Sequence, residues 1–276
     1  MRIDAHQHYW KLARGDYGWL TPDSGVLYRD YLPADLLPRL REQQMDGTIV
    51  VQAAATHEET AYMLELSDAE ESIIGVVGWL DLHDPDYRGH YEQFSSHPKF
   101  VGFRVMIQEM TDAREVLQPH VTEALTYFAG LDVPVDLLMR SDQLDVVVQL
   151  LEQVPGLRAV IDHIAKPQIA AGTLEPWMTQ MAKIASHPNV YCKLSGMVTE
   201  ADHDSWQAAD FIPYVRHVIH LFGAKRLLFG SDWPVCLLAA EYSEVVALLD
   251  QLLPASWTAE EKAAVYGLNA KTFYKL

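Results

Sequence analysis

The chain has 276 residues, 49% of them hydrophobic and spread along its whole length, a soluble globular composition with enough apolar material for one sizeable core. Its 38 acidic and 21 basic residues leave a formal charge of −17, and no basic run offsets it, so neither nucleic acid nor an anionic membrane surface is an expected partner. Cys192 and Cys236 have no disulfide-framework spacing, the N-terminus lacks a signal-peptide pattern, and no apolar run is long enough to span a bilayer, so a reduced cytoplasmic setting is expected.

Short apolar runs then alternate with longer amphipathic stretches from end to end. The first run, Arg2–Ala5, leads into Asp4-Ala5-His6-Gln7-His8. Side chains two apart on a strand share a face, so His6 and His8 converge where the strand ends. Such an imidazole pair suits a divalent metal or an electrophilic site; two surface histidines are the plainer alternative. The stretch Asp16–Tyr31, with Pro22 and Gly25, reads as an irregular loop containing Trp19. Ala34–Met45 then sets Leu36, Leu37, Leu40 and Met45 on one side of a helix.

Strands follow at Thr48–Gln52, Ile74–Leu80, Val101–Ile107 and Val133–Leu138; His57 lies after the second, Trp79 near the end of the third, Arg104 in the fourth and Asp136 in the fifth. A helix over Gln143–Gln153 precedes a sixth strand, Arg158–Asp162, which ends at His163. A lone histidine in that position more often serves structure than ligation. Lys166 reads as solvated or loop-closing, and Pro167 stops the strand. A helix over Glu175–Ser186, a seventh strand Val190–Leu194 bearing Lys193, a helix over Trp206–Phe222 and an eighth strand Leu227–Gly230 come next. Asp232 follows at once, before Trp233-Pro234, and on its own reads as a turn or helix cap. Helices over Ser243–Leu253, with Ser243 as N-cap and Pro254 as stop, and over Ala259–Phe273 close the chain.

The strands are rich in Val, Ile and Leu without strict alternation, as in a parallel sheet buried on both faces. Strand and helix repeated eight times fit one (β/α)₈ barrel domain over residues 1–276, or a doubly wound sheet. No Gly-rich loop follows the first strand, which counts against a nucleotide-binding version. In a barrel, strands one, six and eight end on the same rim, which His163 shares, and one and eight are neighbours, so two histidines, His6 and His8, and the carboxylate of Asp232 would face one another across a small mouth.

Those pieces, together with Gly102-Phe103-Arg104, Asp162-His163 with Lys166-Pro167, Lys193-Leu194-Ser195-Gly196 and Gly230-Ser231-Asp232-Trp233-Pro234, resemble the amidohydrolase superfamily. Within it they are most similar to the lactonase branch, which includes L-fuconolactonases, L-rhamnonolactonases and the pyrone-dicarboxylate and sulfomuconolactone hydrolases. The segment Asp16–Leu20 through Arg29–Pro33 is most similar to the fuconolactonase group.

The resemblance implies a carboxylic-ester hydrolase that opens a small-molecule sugar lactone without an organic cofactor. Asp232 would be the general base, with His6, His8 and His163 on the oxyanion side. Metal-bridging members carry a lysine or glutamate on strand four and a histidine after strand five. Here those strands offer Arg104, and Asp136 and Met139, so a binuclear centre is not expected. One divalent, zinc-type ion on His6, His8, His163 and Asp232, bound without being essential, is the expectation; a metal-free site is the alternative.

Arg104, Trp19, Trp79, His57 and Lys193 are the expected substrate contacts. Each has a plainer reading: an internal salt bridge for Arg104 and Lys193, core packing for the tryptophans, a surface helix start for His57. A carboxylated lactone would need several arginines at the mouth, where only Arg104 and, less clearly, Arg140 fall. A metal-dependent decarboxylase and a barrel that has lost catalysis and only binds are the remaining alternatives.

Overall fold

In the computed structural model, which describes all 276 residues, the eight apolar runs form eight strands: β1 Ile3–Gln7, β2 Gly47–Val51, β3 Ile73–Gly78, β4 Phe100–Met106, β5 Val135–Leu138, β6 Ala159–Ile161, β7 Val190–Leu194 and β8 Leu227–Phe229. They pair in parallel in the order β1 to β8. The ring is drawn together just past the strand ends: His8 N–H donates to the Trp233 carbonyl at 2.7 Å, and Asp232 N–H donates to the His6 carbonyl at 2.8 Å. Each expected strand is present within a few residues. The fifth begins late because Pro134 has no N–H to give the ladder.

Ten helices lie around the strands: α1 Pro33–Glu42, α2 His57–Ala69, α3 Tyr87–Ser95, α4 Pro119–Gly130, α5 Leu144–Gln153, α6 Trp177–Ala185, α7 Ala208–Phe222, α8 Tyr242–Leu252, α9 Ala259–Ala263 and α10 Asn269–Tyr274. The sequence reading misses α2, α3 and α4. In α2 the buried face includes Glu59, Thr60 and Ser67 beside Met63 and Leu64, which blurs the apolar stripe. In α3 only Phe94 is buried. The spacing of Val121, Ala124, Leu125 and Phe128 in α4 is regular and was readable. Ser243 is not the cap of α8. The helix starts one residue earlier, and Glu244 accepts the Glu241 N–H at 2.7 Å. The expected Ala259–Phe273 helix is divided by a wide π turn over Ala264–Leu268.

Both strand faces are buried, and alternate residues separate two cores. Leu227 and Phe229, Ala159 and Ile161, and Val50 join the large core beneath the helices. Leu228, Val160, Ile49 and Val51 join a small inner cluster with Ile3, Ala5 and Val77, closed by Ala270, Phe273 and Tyr274 of α10. The C-terminal helix therefore plugs one end of the barrel. No helix is long and apolar enough to cross a membrane, and both cysteines are free and buried.

Candidate active site

At the other end, β1 delivers two histidines. His8 Nδ1–H donates to the Val51 carbonyl at 2.7 Å, which aims Nε2 inward. A Cβ on Gly230 would lie 2.6 Å from the His6 Cβ, so only glycine lets the chain leaving β8 press against β1. Beyond it, Asp4 clasps the segment: its carboxylate accepts Ser231 N–H at 2.9 Å, Ser231 Oγ–H at 2.6 Å and Tyr242 O–H at 3.1 Å. That clasp, with the Asp232–His6 backbone bond, fixes where Asp232 projects.

The chain leaving β6 takes an uncommon path. His163, Ile164, Ala165 and Lys166 all have positive φ, between 46° and 60°. Each non-glycine residue in this left-handed region costs about 1–2 kcal/mol. The turn is held by Lys166 N–H to the His163 carbonyl at 2.9 Å and by Trp177 Nε1–H to the Ile164 carbonyl at 2.8 Å. It swings His163 into the mouth, where Nδ1 lies 2.9 Å from Ser195 Oγ. A Cβ on Gly196 would stand 2.5 Å from that Nδ1, so glycine again makes room.

The three histidines converge on one carboxylate oxygen. Asp232 Oδ1 lies 3.3 Å from His8 Nε2, 3.8 Å from His6 Nε2 and 3.9 Å from His163 Nε2. His6 Nε2 is buried without a hydrogen-bond partner. Because His8 gives its Nδ1 proton to Val51, its Nε2 lone pair faces Asp232 unless a second proton is added. A cation between the two satisfies both. Each imidazole nitrogen lies 3.3–3.9 Å from that oxygen, near the edge of a tetrahedron with ~2.0–2.2 Å ligand distances, and His6, His8 and Asp232 offer ligand atoms all within 4.8 Å of one another, a donor set that fits one divalent metal ion.

Burial pushes Asp232 upward, but His163, His8 and Lys166 outweigh it and hold the carboxyl below the usual range. It is therefore ionised at neutral pH. Burial, with Lys193 second, holds His6 well below the usual histidine range, and burial does the same to His163. Both imidazoles are neutral, as ligation requires.

One layer deeper lies a set of buried charges, of which Arg104 reaches the mouth. Lys193 Nζ pairs with Asp136 and reaches Asp162 Oδ1 and His6 Nδ1, each at 3.1 Å. Arg104 Nη1 lies 3.4 Å from Asp162 Oδ2, and Nη2 donates to Gln52 Oε1 at 2.8 Å. Tyr274 from the plug donates to Asp136 at 2.8 Å. Two carboxylates and two cations balance.

The mouth opens into a cavity of about 220 Å³. Of the residues expected there, His8, His163, Asp232, Arg104 and Trp19 line it. Trp19 is 41% exposed and tethered by its Nε1–H to the Ala53 carbonyl at 2.9 Å. Lys193 is fully buried and takes the internal-salt-bridge alternative. Trp79 instead lines a neighbouring apolar cleft of about 210 Å³, which shares Met106 and Glu109 with the mouth. His57 packs on Trp79 and His90, with ring centroids 5.2 and 4.0 Å apart, and does not reach the cavity. Trp10 and Trp233 are core residues. The sequence reading gave Lys166 no role and did not name Gln108 and Glu109, yet all three are in the wall. The signals for Lys166 were its place three residues after His163 and its part in the Lys166-Pro167 piece of the family resemblance.

The amidohydrolase family profile matches residues 3–276. An L-fucono-1,5-lactonase of Burkholderia ambifaria is 38% identical, covering 100% of this chain and 96% of that protein. Another of the same name from Burkholderia multivorans is 36% identical over the same shares. A crystal structure of a zinc-bound amidohydrolase from Burkholderia multivorans superposes with a TM-score of 0.93 at 37% identity, covering 100% of this chain and 99% of the other.

Proposed function

The chain belongs to the amidohydrolase family, and on that premise we propose that it is a carboxylic-ester hydrolase opening a sugar lactone, of the L-fucono-1,5-lactone kind, to the sugar acid. The observation that carries this reading is the meeting of His8, His163 and Asp232 in one cavity, with His6 buried 3.8 Å behind the Asp232 carboxylate, and a wall that mixes apolar, neutral and singly charged polar groups. A neutral, polyhydroxylated ring suits such a wall. A lactone with carboxylates would want free arginines, but Arg104 is engaged by Asp162 and Gln52, and Arg140 donates to the Gln108 carbonyl.

The chemistry follows from the geometry. Asp232, ionised, takes a proton from water as general base while the water attacks the lactone carbonyl. The carbonyl oxygen gathers negative charge in the pocket formed by the histidines, with Arg104 on its inner side. Asp232 then returns its proton to the ring oxygen as the C–O bond breaks. Lys166, Gln108 and Trp19 are placed to meet the sugar hydroxyls and C–H face. His6, His8, His163 and Asp232 would hold a zinc-type ion, whose chemistry when bound is to polarise that carbonyl as a Lewis acid. Lactones are activated esters, so we assign the ion a supporting and not an obligatory part.

The test is a panel of aldonolactones followed by proton release, with and without chelator. Turnover of a deoxyhexonolactone that survives chelation is expected. Activity confined to carboxylated lactones, or none on any lactone, overturns the reading. Asp232→Asn should lower kcat by about 10²- to 10⁴-fold with the circular dichroism spectrum unchanged; near-normal turnover removes Asp232 from the role.

A further inference from the structure

His6 differs from an ordinary metal-binding histidine in what stands behind it. A ligating imidazole usually gives its outer N–H to a carboxylate or carbonyl, which leaves the inner nitrogen bare for the ion. His8 follows that rule, with Nδ1–H on Val51. Behind His6 stands a cation: Lys193 Nζ is 3.1 Å from Nδ1, closer than the Asp162 carboxylate oxygen at 3.4 Å. An ammonium has no lone pair, so it can only donate. Nδ1 must then accept, and a neutral His6 carries its single proton on Nε2, the atom that lies 3.8 Å from Asp232 Oδ1 and has no hydrogen-bond partner within the protein.

We infer that Lys193 holds His6 in the tautomer with the proton on Nε2, and thereby weakens this site's grip on a divalent ion while presenting an N–H donor to the substrate. The inference rests on the reading of His6 as a member of the site proposed above. It supplies a cause for a metal that is bound without being essential: to ligate, His6 must move its proton to Nδ1, turn it to Asp162 and forgo the Lys193 bond. The proton changes nitrogen and no group changes charge. Without an ion, Nε2–H supplies hydrogen-bond stabilisation to the carbonyl oxygen, as an oxyanion-hole donor does. Lys193 is a positioning residue here, since it touches His6 and not the cavity.

The arrangement can be reversed without altering net charge. In the double variant Asp136→Asn/Lys193→Met, one anion and one cation leave together, Arg104 still pairs with Asp162, and Asp162 becomes the nearest polar partner of Nδ1. Long-range ¹H–¹⁵N spectra of metal-stripped protein, with the His6 signals identified by their loss in His6→Asn, should show Nε2 protonated in the wild type and Nδ1 protonated in the double variant. Competition with a chromophoric chelator should show Zn²⁺ held about 10- to 100-fold more tightly by the double variant. A gain in affinity is not what a merely damaged fold produces. A wild-type His6 protonated on Nδ1, or equal zinc affinities in two folded proteins, overturns the inference. The wild-type spectrum alone decides the tautomer should the variant fail to fold. Lactone turnover by the same wild-type sample judges the proposed activity separately.

Discussion

Asp162 and Asp4 are both carboxylates with no solvent exposure, and they are held in opposite ways. Asp162 sits between Lys193 and Arg104, whereas Asp4 sits among the donors of Ser231 and Tyr242 with no cation in contact. Burial raises both. At Asp162 the charge of Lys193, with His163 and Arg104, outweighs it and the carboxyl falls below the usual range. At Asp4 the hydrogen bonds do not, and the carboxyl is pushed up to about 6. Neutral donors leave Asp4 raised, whereas the positive charge gathered around Asp162 holds it ionised. The division suits their tasks. Asp162 lies in the charged layer beneath the mouth, between Lys193 and Arg104, while Asp4 only clasps the two ends of the barrel.

The comparison breaks most visibly at Asp162. Replacing it with Asn leaves Lys193 and Arg104 facing one carboxylate, and stability should fall by about 3–5 kcal/mol, read from the denaturant midpoint. A loss as small as that at Asp4 would mean that the charged layer is relaxed by water. Asp4→Asn should cost only about 1 kcal/mol, because the Ser231 and Tyr242 hydroxyls can turn and accept from the new amide.

The same variant sharpens the contrast through pH. The folded Asp4 keeps a proton between 3.8 and about 6 that the unfolded chain has released, so its share of stability is present below that window and is lost as pH rises through it. Asp4→Asn should remove this slope from a stability–pH profile, and an unchanged profile would assign the slope elsewhere. The smallest effect is expected where neither burial nor charge is involved. Trp19→Phe deletes one neutral N–H bond to Ala53 at a half-exposed position, and a rise of about two- to fivefold in KM for the lactone with kcat unchanged should follow. A fall in kcat instead would place Trp19 nearer the reacting bond.

Much of this was legible in the chain. Runs such as Val190–Leu194 and Leu227–Phe229 announce strands because buried parallel strands need apolar side chains on both faces. The His6-x-His8 pair and the acid directly after the last strand follow from position along the chain. Helix α2 escaped because Glu59 is buried where an apolar residue would be expected; its carboxylate accepts the Ala53 and Ala54 N–H groups, a role set by a loop that precedes the helix.

What the sequence determined by itself is local and periodic: eight strand-forming runs, most of the helices, and the chemical groups standing at each strand end. What only the tertiary structure decided is which of those groups touch. The sequence cannot reveal that Lys193 lies beneath His6 and not in the mouth, that four successive non-glycine residues turn left-handed to bring Lys166 into the wall, or that Tyr274 reaches Asp136 from the far end. Each of these depends on how strands far apart in the chain are staggered when the ring closes. Stagger is set by the packing of the whole barrel, because the cost of a strained turn or a buried charge is met by contacts that no single segment contains.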